Sequence, residues 1–215
     1  MIRIHHVAQA RSFRVIWFCE EAGLPYEVVQ HSFFDKSLRS PEFLALSPAG
    51  RVPAVEIDGQ VMFESGAILE YLAETRAPAL ARAPGQADRI TYLEWLHFAE
   101  TIAVSLAILT QHHIVLREAH MRSPTVMKLE AKRLEKSLIA AARARKGEGV
   151  CGQFSAADVA LGYGALIGKK FLRFEEPALL DWVAAMEARP AYRAALAKDG
   201  EVQIYTEEFY EAPNV

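Results

Sequence analysis

The segment from Gly50 to Ser65 constrains the fold most tightly. It reads Gly50-Arg51-Val52-Pro53-Ala54-Val55-Glu56-Ile57, then Asp58-Gly59, then Gln60-Val61-Met62-Phe63-Glu64-Ser65. Two short β-type runs flank a two-residue loop, and Asp and Gly tolerate the positive φ angles of a type I′ turn, so a β-hairpin is predicted. Pro53 stands at the entrance of the first strand, where its missing N–H harms the ladder least. It drives Val52 into an extended conformation, and an X-Pro step of this kind is a place for a cis peptide bond. After the hairpin, Ile68, Leu69, Tyr71 and Leu72 follow at helical spacing. Ser65 is therefore placed to open a helix.

The rest of the chain arranges itself around that hairpin. Ile2, Ile4 and Val7 begin a short strand, and a loop runs from His5 to Arg11. Val15, Phe18, Cys19 and Ala22 line one helix face, which Gly23 and Pro25 bring to a stop. Tyr26 to Gln30 reads as a second strand, and such a βαβ opening implies a right-handed crossover and a parallel pair. An irregular stretch, Ser32 to Ser47, carries a helical turn at Pro41–Leu44. The order is βαβββα, a thioredoxin-like α/β domain over residues 1–76. Residues 77–86, with Pro78, Pro84 and Gly85, read as a linker.

Residues 87–215 read as an all-α domain. Leu93, Leu96, Ile102, Leu106 and Leu109 run along a long helix between Asp88 and Arg117. Ser123-Pro124 opens the next helix, which extends to about Arg145. Ser155-Ala156-Ala157-Asp158 is a capping box ahead of an apolar run. Pro177–Ala188 and Pro190–Lys198 read as two final helices. The acidic, aromatic tail from Glu201 to Val215 is expected to pack back over the surface.

Composition narrows the class. With 215 residues, 52% of them hydrophobic, the chain can build a well-formed core. A net charge of −3 argues for neither nucleic acid nor a membrane surface. No apolar run is expected to reach the ~18 residues of a membrane span, and Met1–Val7 reads as a strand rather than a signal peptide. Cys19 and Cys151 make no disulfide or zinc pattern, which suits a reducing cytoplasm. His5-His6 and His112-His113 invite a metal reading. Neighbouring histidines point apart on a strand or around a helix, however, and no metal is expected.

As chemistry, the hairpin segment suits a small extended peptide. The Val52 backbone can pair with such a peptide as an added strand. The Ser65 hydroxyl and the first helical N–H groups suit a carboxylate, and Glu64 suits an ammonium. Together they fit an amino-acid head group, as in a γ-glutamyl peptide. The plain alternative is a hairpin followed by a capped helix.

The order strand, helix, strand, Val-Pro hairpin, Glu-Ser helix resembles the N-terminal domain of the cytosolic glutathione transferases. The Ser155–Asp158 box extends that resemblance into the second half. The resemblance implies that Pro53 is cis, that Val52 bonds the cysteinyl backbone of glutathione, and that Glu64 and Ser65 hold its γ-glutamyl end. It implies a transferase whose bound thiolate attacks a small electrophile, with glutathione as co-substrate and no metal or redox cofactor. A homodimer, a cytoplasmic location and a role in detoxification go with it. The alternatives are a glutathione-dependent disulfide reductase or peroxidase, and a non-catalytic glutathione-binding or regulatory protein.

In this family the thiol is met by the loop between the first strand and first helix, here Gln9-Ala10-Arg11-Ser12. The position that usually carries Ser or Cys falls near Gln9. Ser12, with a helix cap as its plainer role, and Arg11, with a solvated cation as its plainer role, are the candidates to activate the thiol. Gln9, Ala10 and Arg51 are further glutathione-contact candidates, and Lys36, Arg39 and Arg51 are candidates for the glycyl carboxylate. Phe13, Glu100, Ser105 and Ile108, with His97 and Thr101 beside them, are candidates for a second-substrate pocket. Their alternative is ordinary helix-face packing.

Overall fold

The hairpin forms where the sequence predicts it. Ala54–Ile57 (β3) and Gln60–Phe63 (β4) pair antiparallel, with Ile57 opposite Gln60. The two loop residues sit at φ 52° for Asp58 and 80° for Gly59, the double positive-φ geometry of a type I′ turn. The structure is a computed structural model that describes residues 1–211. The end of the predicted tail, 212–215, lies outside the described residues.

Two further strands complete a mixed sheet. Ile2–His6 (β1) pairs parallel with Tyr26–Gln30 (β2) and antiparallel with β3, giving the order β2-β1-β3-β4. Between β1 and β2 lies the helix Phe13–Ala22 (α1), and between β2 and β3 the short helix Pro41–Leu46 (α2). The helix Ser65–Thr75 (α3) follows β4. Ile4, Val15, Phe18, Val55, Ile57, Ile68, Leu69 and Leu72 are all buried, so α1 and α3 close over apolar strand residues. Phe43 of α2 packs edge-on against the ring of His5 on β1.

The chain divides into two packed units. The first is Met1–Arg89 together with Glu187–Ile204. It therefore contains the thioredoxin-like fold and also the C-terminal helix Pro190–Leu196, which packs along α1. Tyr192 sets its ring against Phe13 and Trp17, and Arg189 grips Glu21 with two bonds of 2.7 and 2.8 Å. The stretch predicted as a linker is pinned within this unit: Arg82 bonds Asp88 at 2.6 Å, and Arg89 reaches Glu70 and Glu74.

The second unit is residues 90–186 with 205–211. Its helices are Arg89–Thr110 (α4), which runs on into a π-helical turn Gln111–Val115, then Pro124–Ala144 (α5), Ala156–Gly168 (α6) and Pro177–Ala188 (α7); Pro190–Leu196 is α8. Ser123 caps α5 by accepting from the Val126 N–H at 3.3 Å. The Ser155–Asp158 capping box forms as read. The tail packs back here, with Tyr205 buried and its hydroxyl 2.9 Å from that of Thr110. One expectation is corrected. The helix Arg89–Val115 is long and apolar enough to cross a membrane by length and composition, with a mean hydropathy of 1.3 over its best window. Its apolar residues have a use inside the fold: Tyr92, Leu96, Ala99, Ile102, Ala103 and Leu109 are buried in the helical unit.

Candidate functional site

Strand register brings the predicted residues to one end of the sheet. Ala54 lies opposite Phe63 on one side and opposite His5 on the other. One step past the ladder, Val52-Pro53 therefore faces Glu64-Ser65 on one flank and the loop after β1 on the other. The Val52–Pro53 bond is cis. Val52 packs in one cluster with Val7, Ala10, Leu38 and Phe43, so the β1–α1 loop and the strand entrance share a floor. Both α1 and α3 begin at this end of the sheet. Two helix N-termini, each carrying partial positive charge, thus converge on one place, an arrangement that favours an anion.

Glu64 and Ser65 are held in an unusual way. Glu64 adopts φ 74° and ψ 109°, a region that costs a residue with a side chain about 1–3 kcal/mol and that clusters at ligand sites. Its side chain is exposed. Ser65 is buried and is the first residue of α3, with Glu64 in the capping position. Its hydroxyl accepts a 3.0 Å bond from the Arg14 guanidinium, and Arg14 is itself fully buried. Because Arg14 fills an acceptor position on the Ser65 Oγ, the hydroxyl proton is left to donate, and a cation stands directly behind it. That combination suits a carboxylate.

The β1–α1 loop departs from expectation at Ser12. Ser12 is fully buried and its hydroxyl lies 2.8 Å from the His6 Nδ1, with the Val7 N–H at 3.4 Å. It makes no side-chain cap to α1. Ser12, the first candidate to activate a thiol, thus has its hydroxyl engaged with His6 inside the protein. Gln9, Ala10 and Arg11 precede Ser12 in the same loop. Gln9 is half-buried with φ 64°, Ala10 is in the floor, and Arg11 is half-buried. Arg51, Lys36 and Arg39 are exposed cations, and Arg51 ties its N–H to the Ser47 hydroxyl at 3.2 Å.

A scan of family models matches residues 2–74 to the glutathione S-transferase N-terminal domain. Glutathione S-transferase 3 of Schizosaccharomyces pombe is 36% identical over 46% of this chain and 41% of its own length. Maleylacetoacetate isomerase of Rhizobium meliloti is 45% identical over 30% of each chain. The theta class glutathione S-transferase of Xanthomonas axonopodis pv. citri, solved with glutathione bound, superposes with a TM-score of 0.80 at 27% identity, over 91% of this chain and 96% of that one. Residues 2–74 thus match the glutathione S-transferase N-terminal domain, and the fold as a whole is similar to that of a glutathione S-transferase. The chain's sequence match spans less than half the length of these curated relatives, whereas the structural match spans nearly all of both chains.

The chain carries its Val-cis-Pro and Glu-Ser pairs where one sheet end meets two helix starts. The other predicted residues scatter. Phe13 is buried, its ring against Trp17 and Tyr192, and Ser105 is buried with its hydroxyl donating to Glu130 at 2.8 Å. Each is thus engaged by packing or pairing within its own unit. Glu100 and Ile108 are half-buried on α4. His97 and Thr101, with Glu94, Trp95 and Phe98, line an open depression of about 510 Å³ on the same helix. The histidine pairs are divided as expected of neighbours: His6 turns inward to Ser12, while His5 bonds His31 at 2.9 Å and Glu56 at 3.1 Å. Arg14 is a site residue that sequence reasoning missed. Its only signal is an arginine in an otherwise apolar helix start.

Proposed function

We propose that this protein is a glutathione transferase. The carrying observation is the meeting, at one end of the sheet, of the Val52-cis-Pro53 backbone, the Glu64-Ser65 helix start with Arg14 behind it, and the Gln9–Arg11 loop that opens α1. Glutathione fits this as an extended peptide. Its γ-glutamyl carboxylate takes the Ser65 hydroxyl and the α3 N-terminus, its ammonium takes Glu64, and its cysteinyl amide pairs with the Val52 backbone. Arg51, Lys36 and Arg39 supply cationic surroundings for the glycyl carboxylate.

The thiol then falls near Gln9–Arg11. A free thiol of pKa ~8.5 is mostly protonated at neutral pH. The α1 N-terminus, the Gln9 amide and the Arg11 guanidinium favour its thiolate. The thiol loses its proton to solvent, and the thiolate forms a C–S bond to an electrophilic carbon as that carbon's leaving group departs. Cys19 does not fit a redox step. Cys19 is buried, and burial, with the Glu20 charge adding to it, pushes its thiol up to about 12. A homodimer, a cytoplasmic location and a role in detoxification accompany the proposal.

Calorimetry tests it. Glutathione should bind, and Glu64→Ala should weaken binding by about 1–3 kcal/mol, the scale of a lost bond to a charged group. Ser65→Ala should weaken it similarly and also lower the melting temperature, because Arg14 loses its acceptor. Full affinity in both variants would remove the site from this end of the sheet.

A further inference from the structure

Asp199 contacts the thiol loop from the far end of the chain. It follows α8 and is 6% exposed. Both of its carboxylate oxygens lie 3.1 Å from the Gln9 N–H. The His6 Nε2 lies 2.8 Å from the Asp199 carbonyl oxygen and 3.2 Å from its Oδ1. Two acceptors around Nε2 require the ring proton there, so Nδ1 accepts from the Ser12 hydroxyl at 2.8 Å. The series Ser12, His6, Asp199 has the order of a hydrolase relay. Ser12 and His6 are 0% exposed, however, so no carbonyl can approach the hydroxyl. The network instead fastens a backbone.

That backbone is strained where it is fastened. Gln9 is a residue with a side chain held at φ 64°, a conformation such residues rarely adopt unaided. The next residues turn directly into α1, with the Ala10 and Arg11 carbonyls accepting the Phe13 and Arg14 N–H groups at 3.0 and 3.1 Å. We infer that Asp199 is a positioning residue for the thiol: by bonding the Gln9 N–H and, through His6, anchoring Ser12, it holds the loop in the shape that presents Gln9, Arg11 and the α1 N-terminus to sulfur. This rests on the proposed glutathione chemistry.

The sign of one measurement separates positioning from charge. A nearby carboxylate disfavours a thiolate, so removing Asp199 as a mere charge would lower the pKa of bound glutathione. Losing the positioned donors raises it. The experiment titrates the thiolate absorbance of glutathione bound to wild type, Asp199→Asn, Asp199→Ala and Glu21→Gln. Asp199→Ala should raise the pKa by about half to one unit, about three- to ten-fold in the ionisation equilibrium. Asp199→Asn keeps one acceptor oxygen and should fall between. Glu21→Gln weakens a different clamp on this C-terminal segment, the Arg189–Glu21 pair, and should lower the melting temperature without moving the pKa. Amide exchange at Gln9, read without ligand, should quicken in Asp199→Asn, which keeps the test open if Asp199→Ala does not fold. An unchanged or lowered pKa in the Asp199 variants, or an equal rise in Glu21→Gln, overturns the inference. Absence of a bound thiolate in wild type overturns the transferase reading instead, and the inference with it.

Discussion

His113 shows how one side chain ties stability to pH. It is half-buried in the helical unit, 5.3 Å from the Phe171 ring and 6.0 Å from that of Tyr210. Burial, helped by the Arg122 and His112 charges, pulls its imidazole down to about 4. In an unfolded chain it titrates near 6.5. The unfolded state therefore binds more protons between those values, and the stability that neutral His113 contributes is present above about pH 6.5 and is lost as the pH falls toward 4. His113→Phe keeps a ring in the cluster and removes the titration. Wild type should lose more melting temperature than His113→Phe on acidification from about pH 7 to about pH 5. Parallel losses in the two proteins would show that His113 is not the titrating group. Such residue-level facts were not legible beforehand: the sequence offers a histidine pair, and only packing tells which ring is enclosed.

The α6 start is an element whose capping was legible and whose reach was not. Ser155 and Asp158 have the spacing of a capping box, and the bonds form: the Ser155 N–H and hydroxyl donate to the Asp158 Oδ2 at 2.9 and 2.8 Å. The Val150 N–H, from the preceding turn, also donates to Asp158 at 2.9 Å. A Cβ at Gly149 would collide with the same carboxylate, so the glycine there is a requirement of close approach. Asp158 is buried, so Asp158→Ala strands several buried donors and should cost about 2–4 kcal/mol, more than a cap alone. Thermal melts should show the loss while glutathione affinity per folded molecule stays at the wild-type value. A normal melting temperature, or lost affinity in folded protein, would contradict this structural role. The hairpin was legible in the same way, because Asp58 and Gly59 report local φ preferences that need no distant partner.

At the scale of the molecule, the proposed homodimer makes a direct prediction. Sedimentation at micromolar concentration should give twice the 23.9 kDa chain mass, two-fold pairing being the commonest closed assembly. A mass of one chain would refute it. The sequence by itself determined the thioredoxin-like order, the helical second half, and the Val52-Pro53 and Glu64-Ser65 pairs. Each is encoded by short-range physics: alternation, helical spacing, caps and turn chemistry. Tertiary structure decided the rest. Glu187–Ile204 joins the first unit rather than the helices that precede it. Ser12, read as a thiol donor, turns inward to His6, Arg14 reaches Ser65, and Asp199 meets Gln9. These pairings span 51 residues for Arg14–Ser65 and 190 for Asp199–Gln9. No local preference records a partner at that separation. Which way a buried hydroxyl or guanidinium turns is set by whichever distant group satisfies it once the chain has closed.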